Sequence, residues 1–188
     1  MEQSELLQFL ARALERLSLP YLITGSTVTI FYGEPRFTND IDVVVQLPAN
    51  AIREFCREFP ADEFYISEEA AAEAVKRRSQ FNIIHPGSGL KIDVMVPAMS
   101  EFDRSRFARG IQVQAGSTWS ALFATPEDAI IKKMEYFREG RSEKHVRDIA
   151  GVLKTSGAQL DLQYIEQWST KLGLRDVWQA IQSASRNS

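Results

Sequence analysis

The chain has 188 residues, with 22 basic and 25 acidic side chains and a single cysteine. Hydrophobic residues make up 44% and charged residues 25%, which is typical of a globular protein and excludes an intrinsically disordered chain. A lone Cys56 cannot form an internal disulfide, no apolar run reaches the ~20 residues of a membrane span, and a net charge of −3 disfavours a broad nucleic-acid-binding surface. We therefore expect a cytoplasmic protein that does not enter the membrane.

The first third of the chain alternates between helical and strand patterns. Apolar spacing predicts an amphipathic helix before Pro20, a buried strand over 21–23, and a second helix that opens at 24–27 and is capped by Gly33. Residues 40–45 are mostly apolar and β-branched, which predicts a strand. A helix that starts at Pro48 follows, with Cys56 on its apolar, core-facing stripe.

The rest of the chain divides into a hairpin region and a helical region. A helix is predicted near 68–78, then strands over 81–84 and 91–96, joined by a Pro-Gly-Ser-Gly turn as an antiparallel hairpin, and a further strand over 111–113. Helical patterns cover 126–139, 143–153, 162–171 and 174–183. The sequence thus predicts an α/β core over 1–124 and a C-terminal helical part over 125–188.

Two carboxylates fall on the strand over 40–45. Side chains at i and i+2 of a strand point to the same face, so Asp40 and Asp42 project together, about 6.6 Å apart along the strand. Close carboxylates repel one another unless a cation lies between them, and Mg²⁺ prefers oxygen ligands. The alternative interpretation is a solvated acidic strand end.

A third aspartate lies within the second strand of the predicted hairpin. Asp93 has Ile92 and Val94 as neighbours, and an aspartate in an apolar strand is costly without a partner. Three convergent carboxylates would suit a two-metal phosphoryl-transfer site, in which Asp93 could also accept a proton. The alternative is an edge residue that faces water.

The Gly25-Ser26 step supplies a complementary feature. Glycine lets the backbone approach a ligand closely, and the helix N-terminus that follows offers free N–H groups to a phosphate. The Ser26 hydroxyl could add one hydrogen bond. As a simple helix N-cap, Ser26 would have no ligand at all.

Together, Gly25-Ser26, Asp40-Ile41-Asp42 and the distal Asp93 resemble the signature of the nucleotidyltransferase superfamily of the DNA polymerase β type. The longer stretch from Gly25 to Asp42 is similar to small bacterial nucleotidyltransferases related to the AbiEii toxins of toxin–antitoxin systems. The resemblance implies an α+β fold, with a mixed β-sheet nucleotidyltransferase core flanked by helices. It covers the chain to about Leu153, and no role is assigned to the residues beyond it.

A second segment extends this resemblance into the helical part. Thr125-Pro126-Glu127-Asp128 is followed by Lys133, which aligns with the family lysine, and Asp148 matches an acidic residue on a later helix. Lys133 shares its helix face with apolar residues, so we expect it to reach inward and to pair with an acid such as Asp148, while Lys132 faces solvent. Asp148 could instead form a local i, i+4 contact with Lys144.

These residues predict a nucleotide site and a metal site. Asp40, Asp42 and Asp93 would bind Mg²⁺ or Mn²⁺, and Gly25, Ser26, Arg36, Thr38, Lys133 and Asp148 would bind an NTP, with Lys133 also counted among the catalytic residues. The resemblance implies transfer of NMP to an acceptor hydroxyl on RNA, tRNA or protein, with an antitoxin protein as a partner. The alternatives are a non-catalytic binding protein with the same fold and an enzyme that modifies an antibiotic.

Overall fold

The computed structural model describes residues 1–34, 38–116 and 118–186, and these residues form two compact units. The first unit combines Met1–Thr24 with Thr38–Phe123, and the second combines the described residues of Gly25–Phe37 with Ala124–Ser188. The second unit is therefore discontinuous in sequence. The predicted domain boundary between residues 124 and 125 stays a prediction. The contacts within the structure group the helix that begins at Gly25 with the C-terminal helices.

A seven-stranded mixed sheet forms the centre of the first unit within the described residues, in the order β3-β4-β5-β2-β1-β7-β6. β2 pairs parallel with β5 and β1 pairs parallel with β7, and the remaining pairs are antiparallel. The strands are β1 Tyr21–Thr24, β2 Asp40–Val45, β3 Tyr65–Ile66, β4 Gln80–His85, β5 Leu90–Met95, β6 Ile111–Gln114 and β7 Ser120–Phe123.

The burial of the strands follows from their alternating side chains. On β5, Ile92 and Val94 are buried while Lys91 and Asp93 are partly exposed, so one sheet face is apolar and the other carries polar groups. β1 is buried at all four positions, which means that both faces of the sheet are covered along this strand. The predicted hairpin of β4 and β5 is present with its antiparallel pairing.

Four helices complete the first unit in the described chain. They are α1 Gln3–Arg16, α3 Ile52–Arg57, α4 Glu68–Arg77 and α5 Glu101–Arg109. A 3-10 turn over Ala49–Ala51 precedes α3, which makes the helix after Pro48 shorter than its apolar stripe predicts. Cys56 is only half-buried, so its assignment to the core is wrong, although burial still raises the pKa of its thiol to about 11.

Five helices form the second unit in the described chain: α2 Gly25–Tyr32, α6 Pro126–Gly140, α7 Glu143–Ser156, α8 Leu162–Lys171 and α9 Arg175–Arg186. The backbone directly after α2 approaches α7 closely at the glycine pair Gly33 and Gly151. A Cβ atom on Gly33 would lie 2.5 Å from the Thr29 carbonyl oxygen and 3.1 Å from the Gly151 carbonyl carbon. Gly33 does not have the positive φ of a helix cap, contrary to expectation, and it serves this close packing instead.

The fold class predicted from the sequence is confirmed, since the chain is α+β with a mixed sheet, flanking helices and a helical C-terminal part. The sequence patterns do not predict β3, β7 or α5. No helix within the described ranges is long and apolar enough to cross a membrane.

Candidate active site

The register of β2 and β5 brings the predicted aspartates together on one sheet face. Asp42 lies directly opposite Asp93, and Asp40 lies opposite Lys91. Neighbouring strands are about 4.8 Å apart, and side chains at paired positions point to the same face. Ile41 and Ile92, which alternate with these residues, are fully buried on the other face. The placement of Asp93 on the same face as Asp42, which the catalytic interpretation requires, is therefore present.

Two further polar residues continue this row across the sheet. Asn82 on β4 lies opposite Asp93, and Thr24 on β1 lies opposite Asp42. In the amide orientation that satisfies both of its polar atoms, Asn82 donates a hydrogen bond of 2.7 Å to Asp93 Oδ1. The four residues Asn82, Asp93, Asp42 and Thr24 thus form a transverse polar row on four neighbouring strands.

A lysine ammonium lies beside the row and contacts two of the carboxylates. Lys91 Nζ is 3.0 Å from Asp93 Oδ2 and 3.6 Å from Asp40 Oδ1. The hydrogen bond to Asp93 raises the pKa of Lys91, so the side chain is charged at neutral pH. Sequence reasoning missed both Lys91 and Asn82. The i, i+2 spacing of Lys91 and Asp93 on one strand was the signal that could have identified the lysine.

The donor atoms at this place are of the type that Mg²⁺ binds, because carboxylate oxygens are hard ligands and the site already attracts a cation in the form of Lys91. In their present positions, these side chains do not form a complete metal-binding site. Across residues 1–34, 38–116 and 118–186, no three His, Cys, Asp or Glu side chains are grouped so that they could hold an ion. The donor chemistry fits a divalent metal ion, whereas coordination by all three carboxylates requires the side chains to rearrange.

Thr38 prepares the start of β2. Its hydroxyl accepts a hydrogen bond of 3.3 Å from the Asp40 backbone N–H, which holds the first residue of the strand in place. Arg36, the other predicted phosphate ligand before this strand, lies outside the described residues. The structure therefore gives Thr38 a local role beside Asp40, and its contact with phosphate stays a prediction.

The Gly25-Ser26 step begins α2 in the second unit. Gly25 has a φ of 62°, a conformation that favours glycine, and it starts the helix directly after β1. Ser26 is buried, with 7% of its surface exposed, and its backbone carbonyl accepts a hydrogen bond of 3.1 Å from the Thr29 hydroxyl. No acidic residue stands in the first turn of α2, so nothing of that kind opposes an anion at its N-terminus.

Lys133 and Asp148 form a buried ion pair between α6 and α7. Lys133 Nζ donates to Asp148 Oδ2 at 2.6 Å, and the two side chains are only 5% and 7% exposed. The expected inward orientation of Lys133 is present, as is its pairing with an acid. Lys132 is more exposed and pairs with Glu135 at 2.6 Å. Burial and the nearby Lys133 charge lower the pKa of His145, which is therefore neutral at pH 7.

The acidic pair at the start of α6 has structural partners. Asp128 is 1% exposed and accepts hydrogen bonds from the Thr125 hydroxyl at 2.9 Å and the Tyr164 hydroxyl at 2.7 Å. Glu127 accepts from the Asp161 backbone N–H at 2.9 Å, immediately before α8. These acids connect α6 to α8, so the Pro-Glu-Asp segment contributes to the packing of the second unit.

Several solved structures have a fold similar to that of this chain. No protein-family model matches the chain, and no curated protein matches it either. Among solved structures, an antigenic nucleotidyltransferase-like protein from Paracoccidioides brasiliensis is similar, with a TM-score of 0.55 and 19% identity over 80% of this chain and 75% of that chain.

Two further solved structures are similar along most of the chain. ANT(2")-Ia in complex with adenylyl-2"-tobramycin has a TM-score of 0.53 and 16% identity, over 97% of this chain and 98% of that chain. JHP933 from Helicobacter pylori has a TM-score of 0.53 and 15% identity, over 87% and 71% of the two chains. At these identities the likeness concerns architecture alone. The chain has the fold of the nucleotidyltransferases.

Proposed function

We propose that this protein is a metal-dependent nucleotidyltransferase, which transfers a nucleoside monophosphate from an NTP to an acceptor hydroxyl and releases pyrophosphate. The observation that supports this most directly is the register of β2 and β5, which puts Asp42 opposite Asp93 and Asp40 on the same face. A purely structural sheet has no need of three carboxylates on one face, because their mutual repulsion costs free energy.

All three aspartates would bind the metal ion, and Asp93 would have a second role. Asp40, Asp42 and Asp93 would hold Mg²⁺ or Mn²⁺, which would neutralise the negative charge on the transferred phosphate. Asp93 would in addition accept the proton of the attacking hydroxyl. The acceptor oxygen bonds to the α-phosphorus, the bond from that phosphorus to the bridging oxygen breaks, and pyrophosphate leaves in line with the attack.

The remaining predicted residues would bind the nucleotide. Gly25 and Ser26 would place the triphosphate at the N-terminus of α2, and Arg36 and Thr38 would contact it from the segment before β2. Lys133 would leave Asp148 and contact the phosphates, to which it would supply a further positive charge. Its burial beside an acid supports this role, because a buried lysine keeps its charge only next to an anion.

The acceptor is proposed to be RNA, with tRNA as the first substrate to test, in a cytoplasmic toxin that a cognate antitoxin protein neutralises. The motif similarity to AbiEii-like toxins supports this choice. A small-molecule acceptor is the second candidate, because the similar fold of ANT(2")-Ia, solved in complex with adenylyl-2"-tobramycin, spans nearly the whole chain. The negative net charge of this protein would suit a cationic acceptor of that kind.

The test is transfer of label from each of four α-³²P-labelled NTPs, with Mg²⁺ and either total tRNA or tobramycin as acceptor. We expect labelled tRNA with one preferred NTP. The Asp42→Ala variant should lose at least about a hundredfold in rate, since the metal supplies several kcal/mol of transition-state stabilisation. Asp62→Asn, an exposed change in the same unit, is the matched control and should keep full activity.

Three results would contradict parts of this proposal. Labelled tobramycin without labelled tRNA would replace the RNA acceptor by a small molecule. Equal transfer by Asp42→Ala and wild type would exclude the aspartates as the metal site. NTP binding without transfer to either acceptor, or to the protein itself, would favour a non-catalytic regulator with this fold.

A further inference from the structure

We propose that Lys91 is a built-in counter-cation, which pairs with Asp40 and Asp93 in the metal-free protein and releases Asp40 when a divalent metal ion binds. This inference rests on the proposed metal site, and it adds a residue and a step that the proposed function does not contain. Lys91 would be a positioning residue for the carboxylates, and it would not touch the reacting atoms.

Lys91 lies closer to Asp93 than to Asp40, and this difference in distance decides which carboxylate it would release. Its ammonium lies 3.0 Å from Asp93 but 3.6 Å from Asp40, whose side chain is 47% exposed against 18% for Asp93. An exposed and longer ion pair is weak because water screens it. Asp40 is therefore the carboxylate that Lys91 gives up most readily.

Asp93 is held from two sides, and this keeps it in place during the exchange. Lys91 contacts its Oδ2 atom and the Asn82 amide donates to its Oδ1 atom at 2.7 Å. Each carboxylate oxygen has a second lone pair, so both contacts leave Asp93 able to bind a metal ion. Asn82 and Lys91 thus orient Asp93, while Asp40 can turn toward an ion once Lys91 lets it go.

The charge balance explains why such a cation would be useful. Asp40 and Asp93 share the Lys91 ammonium, so these two carboxylates and one cation together carry a net negative charge. A divalent ion would neutralise that excess, whereas without metal Lys91 lessens the repulsion between the carboxylates.

The test compares Lys91→Met, Lys91→Gln and Lys91→Arg with Lys76→Met, an exposed lysine change on α4 in the same unit. Mn²⁺ binding is measured from the loss of the free Mn²⁺ signal in electron paramagnetic resonance. Lys91→Met and Lys91→Gln should bind Mn²⁺ about two- to fivefold more tightly than wild type, because the competing cation is gone. Their melting temperatures in EDTA should fall, and Lys91→Arg and Lys76→Met should resemble wild type.

A second measurement uses the wild-type protein and does not depend on the folding of a variant. Acetic anhydride labels exposed amines, and mass spectrometry reports the rate at each lysine. Lys91 should react faster with Mn²⁺ present than in EDTA, because it then has one carboxylate partner instead of two. Lys76 serves as the internal reference, and its rate should not change.

The possible outcomes separate this inference from the proposed function. If wild type binds Mn²⁺ while the Lys91 variants bind it equally or more weakly, the counter-cation role is wrong and the metal site stands. An unchanged Lys91 labelling rate in protein that binds Mn²⁺ overturns it in the same way. If wild type binds no Mn²⁺ at millimolar concentration, the proposed function fails and this inference fails with it.

Discussion

Two ionic clusters within the described residues balance their charges to different extents. In the second unit, Lys133 and Asp148 form an ion pair with both side chains almost fully buried. In the first unit, Asp40 and Asp93 share the Lys91 ammonium and remain partly exposed. The charges of the buried pair cancel, whereas two carboxylates that share one ammonium have negative charge left over. Under the proposed function, the partly exposed cluster of Asp40, Asp93 and Lys91 is the one that would accept a metal ion.

Breaking the buried pair should have the largest effect on stability. Lys133→Met leaves the Asp148 carboxylate buried without the lysine, which should lower the free energy of unfolding by about 3–5 kcal/mol in urea denaturation. Lys132→Met is the matched control on the neighbouring position, and it should cost less than about 1 kcal/mol because its pair with Glu135 is more exposed.

A double variant sharpens that result. Lys133→Met combined with Asp148→Leu removes both charges, so most of the lost stability should return. If Lys133→Met alone is as stable as wild type, the pair is not the buried, dry contact that its exposure indicates.

Removal of the Ser26 hydroxyl should have a smaller effect, and this effect concerns NTP binding. Ser26→Ala removes one hydroxyl that would donate to a charged phosphate, so NTP affinity should weaken by about 1 kcal/mol, or roughly fivefold in Kd. Isothermal titration calorimetry measures it, with the exposed Ser183→Ala as control. Equal affinities in both variants would leave Ser26 as an ordinary helix-start residue.

A third ion pair, on α5, offers a test by pH. Burial alone would raise the pKa of the Asp103 carboxyl, but Arg106 and the Ser100 N–H and hydroxyl together outweigh it, and the pKa is lowered. The contribution to stability is therefore present above the unfolded-state pKa of about 3.9 and is lost as pH falls through the lower folded-state value. Asp103→Asn should flatten the acid limb of the melting temperature, measured from pH 6 to pH 2. An unchanged slope would exclude the carboxylate as its source.

Substitution of Asp42 should have the smallest effect on stability. Asp42→Ala removes one of several close like charges, so without metal the melting temperature should stay the same or rise slightly. Calorimetry in EDTA measures this, and Asp62→Asn is again the control. A large drop would show that Asp42 supports the fold, and the contrast with Lys133 would disappear.

The elements that can be predicted from the sequence are those whose residues carry a strong periodic pattern. β4 and β5 alternate clearly, and the i, i+2 spacing on β2 predicts that Asp40 and Asp42 share one face, whereas the place of Asp93 beside them follows from the β2–β5 register. β3 has two residues and β7 has four, too few for a period to be recognised. α5 has no apolar stripe, since Asp103 and Arg106 are buried in it, although Ser100 and Asp103 form a capping box that marks its start.

The contacts of the site are harder to predict than its residues. The pairing of Lys91 with Asp40 depends on which strands are neighbours, and a parallel β2–β5 pair joins residues about 50 positions apart in the sequence. The same is true of α2, which packs with helices that follow the whole sheet. The roles of the site residues in nucleotide and metal binding stay predictions for the experiments above.

The discontinuity of the second unit also has a consequence for the growing chain on the ribosome. Gly33 and its helix α2 are synthesised early, yet their packing partner Gly151 lies on α7, beyond Ala124. At ~5–20 residues per second, the roughly 90 residues between the two segments take about 5–20 s to translate. During that interval the apolar side of α2 has no native partner from its own unit, so the second unit cannot complete its packing until the intervening sheet segment has been made.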